Sequence, residues 1–422
     1  MATDPTIDSR DNLLAQPLQL RCGASIPNRL GKSAMSEALG SWTNHVTPQL
    51  PHLYQRWARS GIGLLVTGNV MIDRRALGEP GNVVLEDSSD LPLLREWAQS
   101  ASRYGTHLWM QINHPGKQSP KGLNRDPVAP SAIPFRKDLQ AFFDPPRALQ
   151  SAEIQDIIKR FGHAATLARE AGFSGVQIHG AHGYLISQFL SPHHNQREDD
   201  WGGDAERRRH FVMAVYAEIR RCVGADFPVA IKLNSADFQR GGFTQEESMA
   251  VIRALDAAGI DLVEISGGTY EAPVMTGTTR ETRKASTQAR EAYFLDFAEQ
   301  LRAQVETALM VTGGFRSYAG MHRALASGAL DMVGLARLLA LDPDAPAALL
   351  RGEDSRHRVH PIKTGISMVD RMALLEVTWY TRQLRRMANG KEPRANESGM
   401  RALLGTAWNS GWGTFKTRRL RA

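Results

Sequence analysis

VQIHGAHGYLISQFLSPHHNQREDDWGG, residues 176–203, starts as a strand and stops on chemistry. With Gly175 in front, Val176, Gln177 and Ile178 form a short apolar run that ends on His179. His182 and Tyr184 follow, separated by Gly180 and Gly183. Two imidazoles and a phenol at one strand end can hold a carbonyl oxygen and supply a proton. The question for the fold is whether other strands end in the same way.

Seven more short apolar runs are spread along the chain, at Leu30–Met35, Ile62–Thr67, His107–Ile112, Pro228–Leu233, Asp261–Ile265, Ala308–Thr312 and Asp331–Leu335. Each has the continuous apolar character of a strand covered on both faces. Amphipathic segments alternate with them: Gln49–Arg59, Leu91–Arg103, Ser151–Ala171, Ala205–Cys222, Gln245–Ala258, Arg290–Ala303, Tyr318–Ala326 and Ala345–Leu350. Ile154, Ile157, Ile158, Phe161 and Ala165 keep helical spacing, and Thr244 with Glu247 matches a capping box. Eight βα units in order predict an α/β fold, a (β/α)8 TIM barrel. A doubly wound open sheet is the rival, and it calls for a glycine fingerprint. Gly61-Ile62-Gly63 has Val66 in the third glycine's place and precedes a strand, so it fails that test.

Two segments are additions to the barrel. Residues 113–150 carry seven prolines and form a long insertion after strand 3, on the face where barrels place their active sites. Residues 356–422 follow the last unit as a C-terminal helical extension, with Met368–Met387 reading as a helix that packs across the barrel or a subunit interface. The expected division is a barrel over 1–355 and an extension over 356–422.

Composition fits an ordinary globular chain, with 42% hydrophobic and 23% charged residues among 422. No apolar run is of membrane-spanning length, and the polar start shows no secretory signal. With only Cys22 and Cys222, a disulfide framework is not expected and a cytoplasmic setting is. The net charge of +7 gathers late in the chain; without a nucleic-acid module it reads as a solvated face and tail, and neither nucleic acid nor membrane is an expected partner.

Barrels draw their catalytic groups from the C-terminal strand ends. Taken in order, those ends give Ala34, Met35 and Ser36; Gly68 and Asn69; Gln111 and Asn113; His179, His182 and Tyr184; Lys232 and Asn234; Ser266-Gly267-Gly268; Gly313-Gly314; and Gly334 with Arg337. Gly313, Gly314 and Arg337 fall where barrels bind phosphate. The alternative is a tight turn and an arginine paired with a carboxylate. A glutamine amide at 111 matches the donor–acceptor edge of an isoalloxazine ring, and Lys232 can stabilise negative charge on that ring once it is reduced. The Ser36 hydroxyl is placed to tune its O4 side. For the histidines three readings stand: local satisfaction by backbone, a metal site, or a clamp on a developing oxyanion with Tyr184 as the acid. A metal would need a third ligand, and His193 and His194 lie awkwardly far along, so no metal is expected.

Over about residues 17–350 the chain resembles the Old Yellow Enzyme family of FMN-dependent ene-reductases. The resemblance is carried by Pro27-Asn28-Arg29, Met35, Gln111, Ala129-Pro130-Ser131-Ala132-Ile133, HGAHGYLISQFLSP, Trp201-Gly202-Gly203 with Glu206 and Arg208, Ser266-Gly267-Gly268, and GLARLL at 334–339. It implies non-covalent FMN held by Ala34, Met35, Ser36, Gly68, Gln111, Lys232, Gly314, Gly334 and Arg337, with His179, His182 and Tyr184 on substrate. It implies hydride passing from NADPH or NADH to the C=C bond of an α,β-unsaturated carbonyl or nitro compound; a homo-oligomer is a further expectation, which the sequence does not fix. Ser36 stands where relatives often have Thr or Cys, Lys232 where some have Arg, and Ala38 where some place a tyrosine. Demethylation or NADH oxidation on the same scaffold, a zinc hydrolase barrel and a non-catalytic phosphate-binding barrel are the alternatives.

Overall fold

The computed structural model describes residues 12–237, 241–266, 294–360, 362, 364 and 373–402. Eight parallel strands close into the expected (β/α)8 barrel. They are β1 Leu30–Lys32, β2 Leu64–Val66, β3 His107–Asn113, β4 Gly175–Gly180, β5 Val229–Asn234, β6 Leu262–Ser266, β7 Ala308–Thr312 and β8 Met332–Leu335. Each pairs with the next, and β8 pairs with β1 to close the ring. A two-strand ladder of Leu18–Gln19 with Ser25–Ile26 lies at the apolar end.

Alternation along the strands sorts the side chains into inside and outside. The outward set, such as Leu65, Ile112, Val176, Ile231, Val263, Leu309 and Val333, packs under the helices in the main core. The inward set forms three layers. Leu64, Val66, Trp109, Ala230, Leu262, Met310 and Met332 make the apolar floor, closed from below by Leu18, Leu20 and Ile26. Two residues further along the same strands the layer is polar: Gln111, Gln177, Lys232, Glu264 and Thr312, all buried. Two further still are Asn113, His179, Asn234 and Ser266 at the mouth.

The barrel helices are α1 Gln49–Ala58, α2 Leu91–Ser102, α3 Ser151–Glu170, α5 Ala205–Val223, α6 Gln245–Ala257, α7 Leu295–Arg302 and α8 Tyr318–Ala326. α6 carries the predicted capping box, Thr244 with Glu247. Of the predicted Arg290–Ala303 helix, the first four residues lie outside the described residues. Three short helices complete the set: α4 Leu185–Leu190, α9 Arg337–Leu341 and α10 Ala345–Leu349. α4 follows β4 after the turn at 181–184 and α9 follows β8 after Ala336, and both are too brief for periodicity to show.

Residues 114–150 carry a small parallel ladder, Val128–Ala129 with Arg147–Ala148. Past the barrel, α11 Ala373–Ala388 lies against α1 and α9. Trp379 is fully buried, its Nε1 donating to the Glu397 carbonyl at 2.9 Å. Thr381 Oγ1 donates to the Ser36 carbonyl at 3.0 Å and Arg385 to the Ala38 carbonyl at 3.2 Å, which ties α11 to the loop after β1. Residues 368–372 of the predicted helix fall outside the described residues. No described helix is long and apolar enough to cross a membrane.

Candidate active site

The polar layer is one connected network. Gln111 Nε2 donates to Gln177 Oε1 at 2.7 Å, and Gln177 Nε2 donates to Glu264 Oε2 at 2.8 Å. Glu264 also accepts from Thr312 Oγ1 at 2.8 Å and from the Ser33 hydroxyl. Lys232 Nζ completes it, 2.9 Å from Glu264 Oε1 and 2.7 Å from Ser33 Oγ. Burial alone would raise the Glu264 carboxyl. Lys232, Ser33 and Gln177 outweigh it and hold that group below the usual range, so the layer keeps its ion pair. One Nε2 hydrogen of Gln111 is engaged; the amide retains Oε1 and a second hydrogen for a ligand.

At the mouth, His179 Nδ1 accepts the Ala181 N–H at 3.3 Å, which places the ring proton on Nε2. His182 sits in the left-handed region at φ 60°, in the tight turn that follows β4. Its backbone N–H donates to Asn234 Oδ1 at 3.2 Å, and its Nε2 lies 2.9 Å from Ser266 Oγ. The tautomer in which Ser266 donates leaves His182 an Nδ1–H. The two imidazoles meet edge to face at 5.2 Å between centroids, and Tyr184 meets His179 the same way at 4.7 Å. Burial, then His182, then Lys232 push His179 well below the ordinary imidazole range; burial and Lys232 do the same to His182. Both are therefore neutral at neutral pH, and His179 carries its proton on Nε2. Among the described residues no group of three or more His, Cys, Asp or Glu is arranged to hold a metal.

The remaining predicted residues fall on the same end of the barrel. Ala34, Met35 and Ser36 form the half-buried loop after β1, with the Ser36 hydroxyl bonded to Glu79. Gly68 N donates to Tyr54 Oη at 3.2 Å and to Glu37 Oε1 at 3.3 Å. Gly313 and Gly314 follow β7 at φ 113° and 89°, conformations closed to other residues, and present successive backbone N–H groups. Arg337 opens α9, and its guanidinium pairs with Glu376 of α11 at 3.1 Å. The carboxylate alternative for Arg337 is thus realised in this state. Gly334 has a packing reason of its own: a Cβ there would lie 1.9 Å from Thr312 Oγ1. Ala38 has φ 49°, and Gly267 and Gly268 lie outside the described residues.

The sequence reading passed over Ser33, Gln177, Glu264 and Thr312, which hold the predicted residues in place. It also passed over Lys32, fully buried, whose Nζ donates to the Val66 carbonyl at 2.7 Å and which burial brings down to about 8. The signal was present: Lys32, Gln177 and Glu264 are polar residues inside runs buried on both sides.

A buried cation beside an amide edge, with a turn of backbone N–H groups and an arginine one strand away, fits the flavin mononucleotide that the resemblance implies. The comparisons agree. The NADH:flavin oxidoreductase / NADH oxidase family matches residues 13–354. The NADH-dependent flavin oxidoreductase iliE of Hypocrea jecorina is 37% identical over 357 residues, covering 79% of this chain and 88% of the relative. The structure of a 2-naphthoyl-CoA reductase with 2-naphthoyl-CoA is similar at TM-score 0.73 and 25% identity, over 81% of this chain and 53% of that one. An old yellow enzyme homologue from Zymomonas mobilis shares the fold at TM-score 0.69 and 22% identity, over 83% and 94% of the two chains.

Proposed function

The chain belongs to the NADH:flavin oxidoreductase / NADH oxidase family, and on that premise we propose that it reduces the C=C bond of α,β-unsaturated carbonyl or nitro compounds. Non-covalent FMN would be held by Gln111 and Lys232 at the ring, by the loop Ala34-Met35-Ser36 and Gly68 beside it, and by Gly313, Gly314, Gly334 and Arg337 at the phosphate. When bound, FMN carries hydride from NADH or NADPH to the alkene. The observation that supports this reading best is the placement of His179 directly opposite Lys232 in the β4–β5 register, with His182 and Tyr184 on the same rim.

The chain's own residues handle charge and proton. Hydride addition at Cβ moves negative charge to the substrate's carbonyl or nitro oxygen. Neutral N–H donors of His179 and His182 meet that charge, each worth ~10²–10³ in rate for donors of this kind. Tyr184 gives its phenolic proton to Cα. Lys232, held by Glu264, would supply positive charge to the ring. The two free cysteines, both half-buried, accord with a cytoplasmic setting.

The experiment uses purified protein under anaerobic conditions. The expected result is a flavin absorbance band that NADH bleaches and that 2-cyclohexenone restores. A colourless protein that FMN does not reconstitute, or a band restored by oxygen and by no enone or nitroalkene, would contradict the reading.

A further inference from the structure

We infer that Asn69, backed by Asn113, is the positioning residue for Tyr184 and stabilises the phenolate left when its proton departs; the inference rests on the reading of Tyr184 as the acid. Asn69 follows Gly68 at the end of β2, and Asn113 closes β3. Asn69 Nδ2 donates to Tyr184 Oη at 3.3 Å. Asn113 Nδ2 donates to Asn69 Oδ1 at 3.4 Å. Two amides on adjacent strand ends thus donate in one direction, toward the phenol.

The direction has a chemical consequence. An oxygen that accepts from Asn69 turns its own hydrogen to a different acceptor. When Tyr184 acts, its O–H bond breaks, the proton joins Cα of the enolate through that carbon's electron pair, and the O–H pair stays on Oη. Water then reprotonates the oxygen. A donor already aimed at Oη favours the charged form and so makes the phenol a better acid. Aligned amides polarise one another and strengthen the bond.

The support is rigid. Asn113 is fully buried, and its carbonyl accepts the Ile72 N–H at 3.2 Å. The short strand Val70–Met71 pairs with Ile112–Asn113, which sets the spacing between the two asparagines. His179 packs edge to face on the Tyr184 ring and fixes it from the β4 side. Asn113 Oδ1 is buried without a hydrogen-bond partner.

The test is anaerobic stopped-flow on the FMN-loaded enzyme, with NADH for flavin reduction and 2-cyclohexenone for reoxidation. Asn69→Ala is expected to slow reoxidation by about 10–100-fold, the size of one hydrogen bond to a charged group, and to leave reduction by NADH unchanged. Asn69→Asp, which can only accept once ionised, is expected to slow it further. Asn113→Ala keeps the Asn69 contact and is expected to give a smaller loss in the same step. The solvent deuterium isotope effect on reoxidation is expected to rise in all three. If Tyr184→Phe slows reoxidation while the Asn69 and Asn113 variants do not, this inference falls and the acid stands. If Tyr184→Phe leaves reoxidation unchanged, both fall. Equal slowing of both half-reactions in the asparagine variants would also overturn it, as the sign of a merely structural role.

Discussion

Lys232 and Glu264 face each other at one register position of adjacent strands, Nζ to Oε1 at 2.9 Å, with 2% and 0% of their side chains exposed. A pair this deep is costly to break from one side, because the survivor keeps a charge that nothing nearby neutralises. Glu264→Gln is expected to lower stability by about 3–5 kcal/mol. The double variant Lys232→Met with Glu264→Met is expected to recover most of that and still bind FMN poorly. Chemical denaturation and flavin fluorescence titration of the three proteins separate the two effects. Full FMN affinity in the double variant would show that the pair serves packing alone.

Gly334 and Thr312 test the layer from the neighbouring strand. A methyl group at 334 would drive Thr312 Oγ1 away from Glu264, so Gly334→Ala is expected to cost about 1–3 kcal/mol. Thr312→Ala removes the 1.9 Å contact and leaves one of 2.9 Å to the Cβ of residue 312. In a double-mutant cycle the second change is expected to restore part of the stability in the Gly334→Ala background. Simple additivity would contradict the contact.

Arg337 pairs with Glu376 here, and it follows β8, the strand that pairs with β7 ahead of Gly314, the arrangement on which the proposed phosphate role rests. Arg337→Ala is expected to weaken FMN by roughly 10–100-fold and riboflavin hardly at all, since only FMN carries the phosphate. Titration of the apoprotein with both flavins checks this. An equal loss for both would overturn the proposed phosphate role and leave Arg337 as a fastener for α11.

Acid stability follows from the buried imidazoles. His114 is brought down to about 4 and His194 to about 2, each chiefly by burial, and burial likewise lowers His107, His179 and His182. A folded pKa below the unfolded value means that the unfolded chain binds the proton first. The stability is therefore complete above the unfolded value of 6.5 and drains as pH falls toward the folded one. For His114 alone the loss is about 2 kcal/mol by about pH 5. Thermal melts are expected to fall steadily from about pH 8 to about pH 5. A flat profile would contradict neutral buried imidazoles.

Much of this was legible because a barrel strand ends where its chemistry begins. The eight apolar runs, and the place of the histidine pair, Tyr184, Gln111 and Lys232 at their ends, could be read from local pattern, while the roles proposed for those residues lean on the family resemblance. Gln177 and Glu264 were absorbed into strands counted as apolar, although a carboxylate buried on both faces needs a partner and Lys232 was the cation available. The role of α11 was not legible, since Thr381 and Arg385 reach the Ser36 and Ala38 carbonyls across more than 300 residues of chain. The same holds for Asn69, whose link to Tyr184 spans two strand ends and shows in no motif.

The most direct test follows the atoms. NADH deuterated on its transferred position is supplied to the FMN-loaded enzyme with 2-cyclohexenone, and the product is read by NMR. The account predicts cyclohexanone with deuterium at Cβ and solvent hydrogen at Cα, and a Tyr184→Phe variant that forms the same product slowly. Deuterium at the carbonyl carbon, or no reduced ketone from a flavin-loaded enzyme that oxidises NADH, would contradict it.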